Sequence, residues 1–382
     1  MAYKFKRGTT FLYCSYLSNR LTNERIKQLI TGKKYINICL KRILIKENYN
    51  SNAKKPKISV IIPVYNCEET IIPSIRSIQN QNFSEIEIII INDYSRDNCS
   101  FIIQKLKKKD SRIKIMNNNK NMGTLYSRCI GAINAKGIYI FSLDQDDLFF
   151  NNDVFDYIYD IAEDGKFDII GFKSVFTRQY NNNEIFQNPI SKYPDKLTLL
   201  QPELSKYPLD KERIYYDITI WTKSFKNEVY KKAVNLLGKK RYSMFLSWAE
   251  DSSMIFVIFN IAKSFKLIDK YGIIHLVSLK TASFTQPKDN KLFGCIFLLD
   301  IIFDFSKNNS NKNFAANFAL DLKKTFKLNK FKNDKNHCYL NIIIQKILNC
   351  KFISKRYKTK IKESFQNFLI HNNTIIKCSQ RQ

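Results

Sequence analysis

Three carboxylates stand within four residues in Asp144-Gln145-Asp146-Asp147, directly after the apolar run Gly137–Leu143. Carboxylates this close repel one another. A divalent cation relieves the repulsion, because hard cations take carboxylate oxygens. A Mg²⁺ or Mn²⁺ held there with a diphosphate would neutralise charge developing on a phosphate leaving group. The plainer reading is a solvated acidic turn in which one Asp caps the helix starting near Asn152. Placement after a hydrophobic strand in a strand–helix series favours the cation. Asp93 closes another apolar run, in Asn92-Asp93-Tyr94-Ser95. Its carboxylate can accept hydrogen bonds from a nucleobase N–H or a ribose hydroxyl, or can close an Asx-turn. Asp97 reads as the N-cap of the following helix.

These groups need strands to carry them. Ile58–Ile62 is a β-branched run stopped by Pro63, and Glu85–Ile91 is apolar almost throughout, as a strand buried on both faces is. Arg112–Met116, Gly137–Leu143 and Phe167–Phe172 read as further strands. Helical patterns at 68–80, 97–109, 124–135 and 153–163 separate them. The alternation predicts a mostly parallel α/β sheet with helices on both faces. Ligands bind such sheets beyond the carboxyl ends of the strands. The first strand delivers Pro63, Val64, Tyr65, Asn66 and Glu68 to that edge, the second Asp93, and the fourth Asp144 to Asp147. Thr177 to Asp210 reads as a long loop or insertion. Phe225–Leu237 and Asp251–Ser264 read as helices and Tyr271–Ile274 as a strand.

The chain of 382 residues carries 63 Lys and Arg against 34 Asp and Glu, a net charge of +29. The charge is uneven: residues 1–57 hold 14 basic and 2 acidic side chains, and 286–382 hold 19 and 6. A near-neutral working domain at 56–285 therefore lies between a short basic N-terminal extension and linker, 1–55, and a mostly helical basic region, 286–382. The basic ends fit an anionic membrane surface. They also fit AT-rich coding, since 50 of the basic residues are Lys. Ile36–Ile45 reads as a basic amphipathic helix. No two of the nine Cys are closer than Cys338 and Cys350, which excludes Cys-x-x-Cys chemistry and fits free thiols in a reducing compartment. The start has no signal-peptide pattern. Met254–Ala262 and Leu292–Phe305 are too short or too charged for the ~20 apolar residues of a membrane span. A cytoplasmic chain, peripheral to a membrane, is expected.

Four ordered segments carry a resemblance: Ile58-Ser-Val-Ile-Ile-Pro-Val-Tyr-Asn66, Ile90-Ile-Asn-Asp-Tyr-Ser95, Asn121-Met-Gly123 with Arg128, and Leu143-Asp-Gln-Asp-Asp147. Together they resemble the nucleotide-sugar-binding half of glycosyltransferase family 2, with its GT-A fold. Trp221-Thr-Lys223, Trp248-Ala-Glu-Asp251 and His275 extend the likeness. The resemblance implies a pocket for base and ribose from Pro63 to Asn66 with Glu68, and Asp93 on the base. Asp144 would hold the ribose or the metal shell, Asp146 the metal with Asp147 beside it, and Arg128 the phosphates or the Asp-rich turn. It implies an inverting single displacement from a nucleotide-sugar donor, by default a UDP-sugar, to a glycan or lipid-linked saccharide. Asp251 would be the base and Glu250 its orienting neighbour. Alone, that pair reads as acidic residues at a helix start. Trp248 can stack on a sugar or anchor a helix, Lys223 can meet the diphosphate or lie solvated, and His275 can approach the metal or simply pack.

Three positions depart from the family pattern: Asn92 replaces an Asp, Tyr94 a Gly, and Ala249 a common Gly. The Tyr94 exchange predicts an altered loop. Processive-synthase motifs are absent from the sequence, so transfer of a single sugar is expected. The competing readings are a nucleic-acid-binding protein using the basic ends and a non-catalytic relative. No nucleic-acid fold motif is present, so no nucleic-acid partner is expected. A nucleotidyltransferase would want a Gly-rich loop where Pro63–Cys67 has no Gly.

Overall fold

The computed structural model describes residues 55–180, 183–187, 197–200, 219–246, 248–277, 288–305, 334–350 and 355–369. The basic N-terminal extension with its expected helix at 36–45, and most of 181–218, lie outside the described residues. In chain order the elements are β1 (Ile58–Val64), α1 (Ile71–Gln79), β2 (Ile86–Asn92), α2 (Cys99–Lys109), β3 (Ile113–Asn117), α3 (Thr124–Asn134) and β4 (Tyr139–Ser142). β5 (Leu148–Phe149), α4 (Val154–Gly165), β6 (Ile169–Tyr180), β7 (Asn183–Gln187), β8 (Leu197–Leu200) and β9 (Lys223–Lys226) follow. Then come α5 (Asn227–Leu237), α6 (Lys239–Tyr242), α7 (Glu250–Ile261), β10 (Ser264–Val277), α8 (Lys288–Phe305), α9 (Asp334–Asn349) and α10 (Lys355–Leu369).

One sheet runs in the order β3-β2-β1-β4-β9-β6-β10-β5, with β7 on β6 and β8 on β10. It is mixed. β3, β2, β1 and β4 are parallel, as the sequence alternation predicts. β9 enters antiparallel between β4 and β6. β10 then pairs parallel with β6 and antiparallel with β5 and β8. Three strands inside the expected loop correct that reading, since β6 continues to Tyr180 and β7 and β8 follow. Their short length and the Asn-, Lys- and Pro-containing segments between them hide them. Edge strands need no continuous apolar face.

The isoleucines of β1 and β2 alternate between two cores. Ile58, Val60, Ile62, Ile88 and Ile90 pack beneath α1, α2 and α4. Ile61, Ile89 and Ile91 face the opposite layer of α3, α5 and α7. Side chains alternate across a strand, so burial on both faces demands an unbroken apolar run. That packing, beyond helix propensity, stabilises the flanking helices.

α8 and α9 belong to the second layer. Leu292, Ile296, Leu299, Ile343 and Ile347 share one core with Phe259 of α7. Gly294 allows the close approach, because a Cβ there would stand 2.1 Å from the Trp248 carbonyl oxygen. Buried Asp300 ties the layer together, accepting from Arg241 Nη2 at 2.9 Å and Lys346 Nζ at 2.9 Å. Burial pushes its carboxyl up, but the two cations hold it below the usual range. A depressed carboxyl contributes stability that is present above its unfolded pKa and is lost as pH falls through its folded one.

Replacing Asp300 by Asn should cost ~2 kcal/mol, less than the ~3–5 kcal/mol of a fully buried pair because its partners reach solvent. Thermal melts at neutral pH should show the drop. The gap between variant and wild type should close as pH falls through the acid range.

Candidate active site

Strand order reverses between β1 and β4: β2 and β3 build outward on one side, and β4 lies on the other. The crevice above such a reversal is where open α/β sheets bind ligands. Five segments converge there, namely the loops after β1, β2, β3 and β4 and the start of α7. Gln145 joins two of them. The Tyr65 N–H donates to Gln145 Oε1 at 2.7 Å, and Gln145 Nε2 donates to the Tyr65 carbonyl at 3.2 Å. The Asp-rich turn is therefore fastened to the proposed base pocket by the one residue in it that carries no charge.

The loops after β1 and β2 are bonded to each other. The Asn66 N–H donates to Ser95 Oγ at 3.1 Å, and the Arg96 N–H donates to Asn66 Oδ1 at 2.8 Å. Glu68 accepts from the Asn98 N–H and side-chain amide at 2.9 and 2.7 Å, so its carboxylate braces the start of α2. Asp97 does bond the α2 terminus, through the Cys99 N–H at 3.0 Å, and also holds the Glu68 N–H at 2.9 Å. Asp93 accepts from Asn118 Nδ2 at 2.7 Å and from the Met122 and Gly123 N–H groups at 2.8 and 2.7 Å. A carboxylate has about four lone-pair sites, so one remains for a nucleobase or ribose. Gly123 reaches Asp93 at φ +88°, where a Cβ would press on the Leu246 carbonyl.

Arg128 of α3 is 3% exposed and lies between two carboxylates. Its Nη2 donates to Asp144 Oδ1 at 2.5 Å, and its Nη1 donates to Asp251 Oδ1. The Ile220 N–H approaches Asp251 Oδ2 at 3.4 Å. Burial alone would disfavour the guanidinium, but Asp251 and Asp144 hold it charged. Burial pushes Asp251 up while Arg128 opposes the shift. Burial and neighbouring Asp251 push Glu250 up to about 7. One arginine thus links the Asp-rich turn to the acidic start of α7.

Asp147 is buried and bonds His275 Nδ1 at 2.8 Å, while the imidazole stacks on Trp221 with centroids 4.7 Å apart and planes at 10°. Burial would lower the His275 pKa, but Asp147, with Asp144 and Asp146 beyond, pushes it up to about 9. In this geometry Asp147 and His275 satisfy each other. Asp146 makes no hydrogen bond or ion pair to another described residue. Burial, Asp147 and Asp144 together push it up to about 7. A cation beside Asp146 would relieve that cost. Among the described residues no group of three or more acidic, His or Cys side chains could hold a metal by itself. A Mg²⁺-like ion would need only one or two carboxylates here and would complete its shell with phosphate and water.

Lys223 is 1% exposed, and its ammonium donates to the Thr219 carbonyl at 2.8 Å and Thr222 Oγ1 at 3.2 Å. It would reach a diphosphate only if that turn opened. Trp248 is partly buried against the second core, with Lys291 of α8 4.9 Å over its ring. Pro63 and Val64 end β1, paired with Ile91 and Asn92.

Non-glycine residues at positive φ are Asn66 (48°), Tyr94 (67°), Lys166 (48°) and Ala249 (61°). Lys166 caps α4 and the other three border the crevice. Each left-handed residue costs about 1–2 kcal/mol, and such strain gathers at functional sites. Tyr94 and Ala249 stand where the family pattern has glycine, and both keep a glycine-like conformation. The sequence reading gave no role to Gln145, Asn118, Trp221 or the Ile220 N–H. Gln145 and Trp221 were visible inside their motifs, but the partners of Asn118, Trp221 and Ile220 come from distant segments.

Residues 59–235 match the family model described as glycosyl transferase family 2. An uncharacterized glycosyltransferase, EpsJ of Bacillus subtilis, is 29% identical over 218 residues, 56% of this chain and 59% of EpsJ. An Escherichia coli protein named UDP-Glc:alpha-D-GlcNAc-diphosphoundecaprenol beta-1,3-glucosyltransferase WfaP is 43% identical over 90 residues, 24% of this chain and 35% of WfaP. The alignments span less than two thirds of either relative. The crystal structure of S. aureus TarS 1–349 in complex with UDP-GlcNAc shares the fold, with a TM-score of 0.59 and 16% identity. It covers 85% of this chain and 92% of that one.

Two substitutions test this arrangement. Arg128→Met leaves Asp144 and Asp251 without their shared cation and should destabilise the protein by about 2 kcal/mol, less than a fully buried pair because both carboxylates reach solvent, read by urea unfolding. Ala249→Gly relieves a left-handed residue and should raise stability by up to ~1 kcal/mol in the same assay.

Proposed function

We propose that this protein is an inverting glycosyltransferase that moves a sugar from a nucleoside-diphosphate donor to a glycan or lipid-linked saccharide hydroxyl. The observation that carries the reading is the Arg128 bridge, which puts the Asp-rich turn and the Glu250–Asp251 pair on opposite ends of one guanidinium. A donor laid over the β1/β4 crevice would place its base against Tyr65 and Asp93 and its diphosphate beside Asp146. Mg²⁺ or Mn²⁺ bound at Asp146 would supply charge neutralisation for the departing diphosphate.

The chain's own groups do the rest. Asp144 holds the donor end of the site and is itself held by Arg128. Asp251, its proton affinity raised by burial, takes the proton from the attacking acceptor hydroxyl. Arg128 stays on Asp144 as that charge moves, so no buried carboxylate is left unpaired. Glu250 orients the acceptor. Its carboxyl, near 7, is poised to exchange that proton with solvent at neutral pH. The imidazolium of His275, held by Asp147 and Trp221, adds positive charge near the phosphates.

WfaP is named for a UDP-glucose donor and a diphosphoundecaprenol-linked acceptor, and the TarS structure holds UDP-GlcNAc. Both names support a UDP-sugar, and that of WfaP supports a lipid-linked acceptor. No described helix is long and apolar enough to cross a bilayer. α10 does expose Lys355, Arg356, Lys360 and Lys362. Basic residues near an anionic surface contribute ~1 kcal/mol each, enough together for reversible attachment.

The melting midpoint should rise by a few degrees with one of UDP, GDP, CDP or dTDP in Mn²⁺, as expected for a hundredfold excess over Kd. The rise should vanish in EDTA and in Asp146→Ala. No rise with any nucleotide in folded protein would overturn the reading. Once a donor is known, Asp251→Asn should lower kcat by about 10²–10⁴-fold with nucleotide affinity kept. A larger loss in Glu250→Gln would move the base to Glu250.

A further inference from the structure

We infer that Tyr94 is a donor-binding residue, whose ring takes the face of the donor's nucleobase. The inference rests on the nucleotide-sugar reading above and assigns a role to a position where this chain departs from the family pattern.

The argument begins with the backbone. Tyr94 has φ +67°, a conformation that a bulky side chain disfavours and glycine adopts freely. The loop imposes it. The Ser95 N–H donates to Asn92 Oδ1 at 3.1 Å, Ser95 Oγ accepts from the Asn66 N–H at 3.1 Å, and the Arg96 N–H donates to Asn66 Oδ1 at 2.8 Å. None of these bonds involves the Tyr94 side chain. Glycine would satisfy the same loop without strain, so tyrosine weakens the folded state at this position.

The ring gains little in return within the free protein. It is 46% exposed, and among the described residues its hydroxyl makes no hydrogen bond. Its one ring contact is the Arg96 guanidinium, 5.6 Å from the centroid. A cation behind an aromatic ring, with the ring otherwise open to water, makes a flat platform of the kind on which bases stack. Position completes the argument. Tyr94 follows Asp93 directly, at the carboxyl end of β2. The Asn66 bonds tie its loop to Tyr65, which is 40% exposed at the end of β1 and is fastened in turn to Gln145. Two open tyrosines thus stand on joined loops beside the carboxylate that keeps a free acceptor site. Strain that nothing in the free protein repays is accounted for by a ligand.

The test uses the full chain in Mn²⁺. Kd is measured by calorimetry for whichever of UDP, GDP, CDP and dTDP binds most tightly, and for inorganic diphosphate. Tyr94→Gly and Tyr94→Asn, both tolerant of positive φ, should weaken the nucleotide about tenfold, the size of a lost base–aromatic stack. Tyr94→Phe should stay within twofold. Inorganic diphosphate should bind all four proteins alike, and Tyr94→Gly should melt at or above the wild-type midpoint. Unchanged nucleotide affinity in the glycine and asparagine variants would overturn this inference alone. A parallel loss of diphosphate affinity would also overturn it, by assigning the effect to the loop rather than the base. Failure of the wild type to bind any of the four nucleotides would remove the nucleotide reading as well.

Discussion

A buried guanidinium between two carboxylates is the constraint on which the site depends. Arg128 comes from α3, Asp144 from the end of β4 and Asp251 from the first turn of α7, so three distant segments meet at one charge. The guanidinium is buried, and the two partly buried carboxylates offset what its burial costs. The sheet order follows the same logic. β4 must lie beside β1 for the Asp-rich turn to open on the crevice, and α3 must cross beneath it to bring Arg128 up. The apolar alternation of β1 and β2, which fills a core on each face, makes that placement rigid.

Around this centre most charged and polar groups already have partners. Asp147 is matched by His275, Asp93 by the loop after β3, and Glu68 by the start of α2. Asp146 makes no hydrogen bond or ion pair to another described residue, and burial with the neighbouring Asp147 and Asp144 raises its proton affinity. The strained backbone lies in the same region. Asn66, Tyr94 and Ala249 are held left-handed by loops whose shape serves the crevice, and the two large cores supply the stability that this strain costs. The C-terminal helices take part too, since α8 packs against Trp248 just before the Glu250–Asp251 pair.

The elements over residues 58–165, except the two-residue β5, were legible because most strands are apolar and each helix has one apolar side. Boundaries shifted by one to three residues there. Beyond 172 the helices α5 and α7 and the middle of β10 were legible, but most strands were not. β6 to β9 lie at or near the edge of the sheet or pair antiparallel through polar sequence, and β10 begins where the sequence still looked helical. Trp221 shows the same limit within the site. Its role is to stack on His275, a contact across more than fifty residues, and a lone tryptophan carries no sign of its partner.

The sequence by itself determined the chemistry available: which residues follow each strand, the Asp-rich turn, the acidic pair and the family they resemble. Those are local properties of residue type and spacing, and they survive without knowledge of the rest of the chain. Only the tertiary structure decided how that chemistry is shared out. It turned Glu68 toward α2, buried Lys223 in its own turn, placed Lys291 over Trp248, and joined Asp144 to Asp251 through Arg128. It also holds Tyr94 at a positive φ that glycine adopts freely. A hydrogen bond is set by distance and direction to within a few tenths of an ångström. Between residues over a hundred positions apart, that precision exists only after the cores have packed.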